Sequence, residues 1–157
     1  MKEHADVSRM VDVGAKDVTD RHAVAEVRVR MSAASVERLV AGTPKGDPLE
    51  AARVAGLMAV KRTPDLLPFC HPVTVTGAEV AVDPRPGEGA VHVRATVTAR
   101  DRTGVEMEAL TACAVAALSI YDTVKPYERG AVIDELRLVE KRGGKSGPYR
   151  AGEPPAR

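Results

Sequence analysis

The chain has 157 residues, with 23 Lys and Arg against 22 Asp and Glu, 44% apolar residues and only 3% aromatic ones. A formal charge of +1 excludes binding of nucleic acid or membrane through the overall field, so any anion site must be a local cluster. Without Trp and with one Phe, the core must come from Val, Leu, Ala and Met, and this length suits one domain burying about 70% of its unfolded surface.

The opening stretch MKEHADVSRMVD mixes charges without a period, and residues 1–9 are expected to form a flexible segment. HAVAEVRVRM then alternates strictly: Val27, Val29 and Met31 face one way, Glu26, Arg28 and Arg30 the other, as in a half-buried strand. Ser32 is placed to cap a short helix with Val36, Leu39 and Val40 on one face and Gly42 at its end. In GDPLEAARVAGLMAVKRTP, Asp47 reads as N-cap, Pro48 as the first helical residue and Glu50 as the partner in a capping box. Pro64 is expected to stop this helix after Arg62.

Two alternating strands follow, near 73–82 and 90–100, joined by the loop DPRPGEG. Thr103 and Glu106 read as a second capping box before EMEALTACAVAALSIYD, a helix apolar on nearly every side. A last strand is expected near 135–141, with Leu136 and Leu138 alternating with Arg137, then a loop and a disordered tail at 151–157. The order β-α-α-β-β-α-β, with the first two helices merged, predicts an α+β class: a ferredoxin-like (split βαβ) domain over 10–150, with an antiparallel sheet and helices packed on one face. Two cysteines, Cys70 and Cys113, exclude a disulfide scaffold; without a signal peptide or long apolar span, they point to the cytoplasm.

Several short motifs carry chemistry. Cys70-His71 in LLPFCHP reads three ways: half a metal site, a thiol with its base, or a substrate contact. Four His and two Cys without a CxxC or HxxxH pair do not supply the usual ligand set of a transition metal. Neighbouring residues of an extended segment point to opposite faces, which weakens the thiol–base reading. At most one of the two is then functional here, the bland alternative being Cys70 as a small packing residue beside a solvated His71 ring. GGKSG is not a phosphate loop, because Val139 stands where that pattern needs its first Gly and no helix follows; Lys145 either approaches an anion or sits in solvent.

Glu106 and Glu108 flank Met107 at the start of the apolar helix, where carboxylates suit the dipole or, if extended, share a face that binds N–H groups. Asp122 and Lys125, at i and i+3, form either a helix-end ion pair or a partly desolvated acid–base pair. Arg21, Lys45, Lys61, Arg62, Lys125, Lys141 and Lys145 lie at element ends, where convergence would create a polyphosphate site.

MVDVGAK, KGD, ARVAGLMAVKRT, LLPFCHP, TGVEMEALTACAVAALSIYD with Lys125, and EKRGGKSG occur in this order from Met10 to about Arg150. Together they resemble the MoaC family, the cyclic pyranopterin monophosphate synthases of molybdenum cofactor biosynthesis. The resemblance implies a cytoplasmic homohexamer, a trimer of dimers with active sites at dimer interfaces. It also implies that a cyclic dihydro-GTP rearranges to cyclic pyranopterin monophosphate with release of pyrophosphate. It implies no resident cofactor or metal, with Mg²⁺ free to accompany the triphosphate, and neither a nucleic-acid nor a membrane partner. By motif it assigns Asp122 and Lys125 as catalytic, and Arg21, Lys45, Lys61, Phe69, Cys70, His71, Glu106, Met107, Glu108 and Lys141 as substrate-binding. The chain departs from the family pattern at Pro126 (commonly Ala), Thr123-Val124 (commonly Met-Cys), Phe69 (commonly Leu) and Arg142 (frequently small). Two rival readings, a non-catalytic nucleotide-binding module and an RNA-binding module, lack support: the first needs no acid–base pair, and VHVRATVTA offers no aromatic platform.

Overall fold

The structure is a computed structural model that describes residues 7–153. The expected loose segments at 1–9 and 151–157 therefore lie mostly outside the described residues. Alternation of small apolar and polar residues builds β1 (Thr19–Arg30), followed by α1 (Ala33–Ala41) and α2 (Pro48–Leu66). β2 (Val75–Arg85) and β3 (Ala90–Asp101) form a hairpin, and α3 (Glu106–Val124), β4 (Val132–Arg142) and β5 (Tyr149–Arg150) complete the chain. The fold is α+β, with an antiparallel sheet in the order β2-β3-β1-β4-β5. β3 lies between β1 and β2, which run in the same direction, as a split βαβ connection requires.

One face of the sheet carries Ala23, Ala25, Val27 and Val29 of β1 beside Val91, Val93, Ala95 and Val97 of β3, all buried. α3 lies across it with Ala109, Ala112, Cys113, Ala116, Ala117 and Ile120 fully enclosed. These small side chains let α2 come close. At Gly56 a Cβ would stand 3.1 Å from the Ala112 carbonyl oxygen and from both Val80 methyls, so only glycine fits without a shift. The opposite face is charged and open, with Arg137 Nη2 2.6 Å from Glu26 and Arg30 Nε 2.6 Å from Asp134.

Ser32 and Asp47 cap their helices as expected: Ser32 Oγ accepts from Ser35 N, and Asp47 Oδ1 accepts from Leu49 N at 2.8 Å. Other expectations fail for local reasons. Glu50 pairs with Arg53 at 2.9 Å instead of closing a capping box. Val40 is 55% exposed, because Ser35, Val36 and Leu39 form the buried face of α1. Pro64 sits inside α2, close enough to its end that Leu67 N still reaches Thr63 O at 3.1 Å. Thr103 caps nothing: α3 begins at Glu106 and its N-cap is Val105, with no side-chain acceptor.

β2 starts two residues later than expected and runs on through Pro84, which an edge strand tolerates. β4 begins earlier and is bulged at Glu135, whose φ is 54°, and Leu136 is 45% exposed instead of joining Leu138 against the core. Part of the expected tail loop pairs as a strand, Tyr149 opposite Lys141. α3 is the one long apolar span among the described residues. Its 19 residues reach a mean hydropathy of 1.3, enough by length and composition to cross a membrane, yet one side of it, Ala109, Ala112, Cys113, Ala116, Ala117 and Ile120, is buried in the core.

Candidate active site

Except for Lys61, the resemblance-assigned residues separate into two groups at opposite ends of α3. At its N-terminal end, an open hollow of about 600 Å³ is lined by Lys16, Arg21, Arg102, Glu106, Lys141 and Lys145, among others. A second hollow, of about 470 Å³, shares Thr103, Gly104 and Glu106 with it and adds Phe69, Cys70, His71 and Met107. The two form one groove in which cations sit beside exposed apolar side chains.

Arg21 is aimed into this groove by backbone. Its guanidinium donates to the carbonyls of Asp101 and Arg102 at 3.3 and 3.1 Å, so it is oriented without a carboxylate. The GGKSG loop packs directly over it. A Cβ on Gly144 would overlap Arg21 Nη1, and Gly143 and Gly144 have φ of 94° and 81°, where side chains are strained. The glycine pair thus brings Lys145 and Ser146 to the rim. Lys141 Nζ donates to Ser146 Oγ at 2.7 Å and lies 3.2 Å from Glu106 Oε1. Among the described residues, Lys16, Arg21, Arg102 and Lys145 have no carboxylate within ion-pair distance, leaving a net demand for an anion.

Glu106 and Glu108 do not share a face. Both lie in the first helical turn, where i and i+2 diverge. Glu106 turns to Lys141, while Glu108 is 1% exposed and its Oε2 has no hydrogen-bond partner. Burial pushes the Glu108 carboxyl above the ordinary carboxylate range, and the neighbouring Glu106 charge pushes it further. Its other oxygen lies 3.8 Å from Cys70 Sγ. Cys70 therefore does more than fill space: its thiol is the hydrogen-bond partner of a buried acid, and burial together with Glu108 raises its own pKa. The 67–74 segment is turn and coil, not the extended segment expected, with Cys70 N bonded to Leu67 O at 3.1 Å.

At the far end of α3, Asp122 and Lys125 form an ion pair of 2.5 Å. Of the two alternatives, the single chain shows the helix-end ion pair: the side chains are 73% and 54% exposed. The Lys125 ammonium holds Asp122 below the usual carboxylate range, and Lys45 adds to the effect. Lys45 stands on the adjoining Thr43–Gly46 turn, in a hollow of about 460 Å³ that also takes in Ser119, Asp122 and Pro126. Lys61 is exposed on α2 and lines none of these hollows. Lys16 and Arg102 are the residues that sequence reasoning missed. Only strand pairing, Thr19 opposite Asp101, brings them together. Among the described residues, no three His, Cys, Asp or Glu side chains cluster as metal ligands.

Comparison with known proteins identifies the family. A model of the MoaC family matches residues 10–144. A Streptomyces avermitilis protein named cyclic pyranopterin monophosphate synthase is 54% identical over 148 residues, covering 94% of this chain and 86% of its own. Proteins of the same name from Roseiflexus sp. and Desulforapulum autotrophicum are 54% and 50% identical, covering 90% and 91% of this chain and 90% and 88% of their own. The chain is an enzyme of the MoaC family.

Proposed function

We propose that the protein acts in molybdenum cofactor biosynthesis as a cyclic pyranopterin monophosphate synthase. It converts (8S)-3′,8-cyclo-7,8-dihydroguanosine 5′-triphosphate to cyclic pyranopterin monophosphate and pyrophosphate. The observation that carries this reading is the groove of uncompensated cations beside the buried acid Glu108. That is a place for a polyphosphate attached to a nitrogen heterocycle. Arg21 and Lys141, with Lys16, Arg102 and Lys145, bind the triphosphate and stabilise the charge that grows as pyrophosphate leaves. Glu106 and Glu108 hold the guanine-derived N–H edge, with Phe69, Cys70, His71 and Met107 around the ring. Asp122 and Lys125 exchange protons as the five-membered ring opens and the pyrazine ring closes. Mg²⁺ enters only as a companion of the triphosphate.

One chain alone does not complete this site. Glu106 and Asp122 are separated by about 24 Å of helix, far beyond the ~3 Å reach of proton transfer. Two copies packed antiparallel would place the Asp122 end of one α3 near the Glu106 end of the other. The exposed Val54, Met58 and Leu118, at 45%, 59% and 57%, give this face apolar surface to bury. A cytoplasmic hexamer, three such dimers, is the assembly we propose.

The test is anaerobic incubation with freshly prepared cyclic dihydro-GTP, reading pyrophosphate and an oxidisable pterin. Turnover is expected, with loss of at least about a hundredfold in Asp122→Asn and Lys125→Ala. Folded protein that yields neither product refutes the activity. Mixing Asp122→Asn with Glu108→Gln chains should restore part of the rate through hybrid dimers, and no restoration would refute shared sites.

A further inference from the structure

The turn after α3 is held more firmly than a chain reversal requires. Glu128 accepts from Ser32 N at 2.9 Å, from Ser32 Oγ at 2.8 Å and from Ser35 Oγ, all at the start of α1. Its own amide donates to Val124 O at 2.8 Å, continuing the end of α3. Beside it, the Arg38 guanidinium lies over the Tyr127 ring, 4.1 Å from the centroid, and Tyr121 Oη donates to Arg129 O at 2.9 Å. Capping alone does not explain Glu128, because Ser32 Oγ already satisfies Ser35 N. What Glu128 adds is a junction between two elements.

Those elements carry the two walls of the Asp122 hollow. α1 ends at Gly42 and passes into the tight Thr43–Gly46 turn, closed by paired backbone hydrogen bonds of 3.0 and 2.9 Å, on which Lys45 stands. The other wall is the last turn of α3, with Asp122, whose ion-pair partner Lys125 follows the helix. We infer that Glu128 is a positioning residue: by joining the N-terminus of α1 to the turn after α3, it sets the spacing between Lys45 and the Asp122–Lys125 pair. It touches no substrate and acts through these three side chains. Pro126 lacks an amide donor, so this turn depends the more on side-chain ties. The inference rests on the activity proposed above for its kinetic arm, and on the geometry alone for its titration arm.

Two measurements on the assembled full chain test it. The Asp122 carboxyl is titrated by carbon-detected NMR in the parent and in Glu128→Gln, with Ser35→Ala as a milder variant that leaves the cap in place. The Asp122 pKa is expected to rise in both, more in Glu128→Gln, as Lys125 and Lys45 lose their fixed places. In parallel, Glu128→Gln should lower kcat about tenfold with KM changed less than about threefold, and the acid limb of the kcat–pH profile should move up. An unmoved Asp122 titration in both variants overturns the inference. So does a kcat loss that merely follows the folded fraction measured by thermal melting. If the parent fails to turn over, the proposed activity falls while the titration still decides the role of Glu128.

Discussion

Replacing Glu108 by Gln tests the electrostatics of the groove without touching its shape. Glu108 is 1% exposed, with one oxygen unpartnered and the other 3.8 Å from the Cys70 thiol. A buried polar group left unsatisfied costs about 1–3 kcal/mol, and more when it is charged. Its folded pKa lies above the unfolded value, so the folded state holds the proton more tightly. The stability this contributes is complete below the unfolded pKa and is lost as pH rises through the folded one. Glu108→Gln should therefore be close to neutral near about pH 4 and stabilising by about 1–2 kcal/mol near about pH 8. For a chain of this size that is roughly 2–4 °C in Tm per kcal/mol. Urea unfolding at both pH values, followed by far-UV circular dichroism at fixed protein concentration, measures it. An equal effect at both values, or a larger loss at high pH, would refute the argument that burial raises this acid. Activity should fall in the same variant, since the charge that destabilises the fold is the one proposed to hold the substrate's N–H edge.

Three further perturbations separate the roles of other residues. Gly144→Ala forces a Cβ into the Arg21 guanidinium at a positive φ; a loss of about 1–3 kcal/mol in thermal unfolding is expected, with a raised KM, and an unchanged KM would detach the loop from the site. Lys145→Ala should raise KM by about tenfold at low salt and by less at high salt, because an exposed charge acts through a screened field. Steady-state kinetics across ionic strength reads this, and an effect independent of salt would point to a structural role. Ile120→Ala, at a fully buried position of α3, should cost about 2–5 kcal/mol in urea unfolding, and a loss below about 1 kcal/mol would mean that the core refills the space.

Periodicity made β1, β3 and α3 legible before any coordinates, because each buries small residues at the spacing its geometry imposes. Ser32 and Asp47 were readable for the same local reason: a side-chain oxygen sits where orphan amides need it. Pro64 misled, because a proline near a helix end costs little when the following amide can still find its acceptor. The bulge at Glu135 and the pairing of Tyr149 with Lys141 depend on contacts between strands and leave no periodic trace. The site divides in the same way. Motifs pointed to Arg21, Lys141 and Asp122 singly, but the company of Lys16 and Arg102 arises only when Thr19 pairs with Asp101. For Asp122 and Lys125 the i, i+3 spacing left an exposed ion pair and a desolvated pair both open, and only the position of the last turn of α3 beyond the core decides for the first.

Gly56 against Ala112 and Val80 has a consequence for how this chain can vary. Along that seam the residues are already near their smallest size, so truncation has little left to remove. Enlargement meets backbone, which yields far less readily than a side chain and costs about 1–3 kcal/mol per misfit. Sequence drift here is one-sided: a lineage loses fitness by growing at these positions, not by shrinking. A library randomised across Gly56, Ala109, Ala112, Cys113 and Ala116 should return small residues almost exclusively. Exposed positions on the open sheet face, such as Arg94 and Arg100, should accept a broad range of sizes.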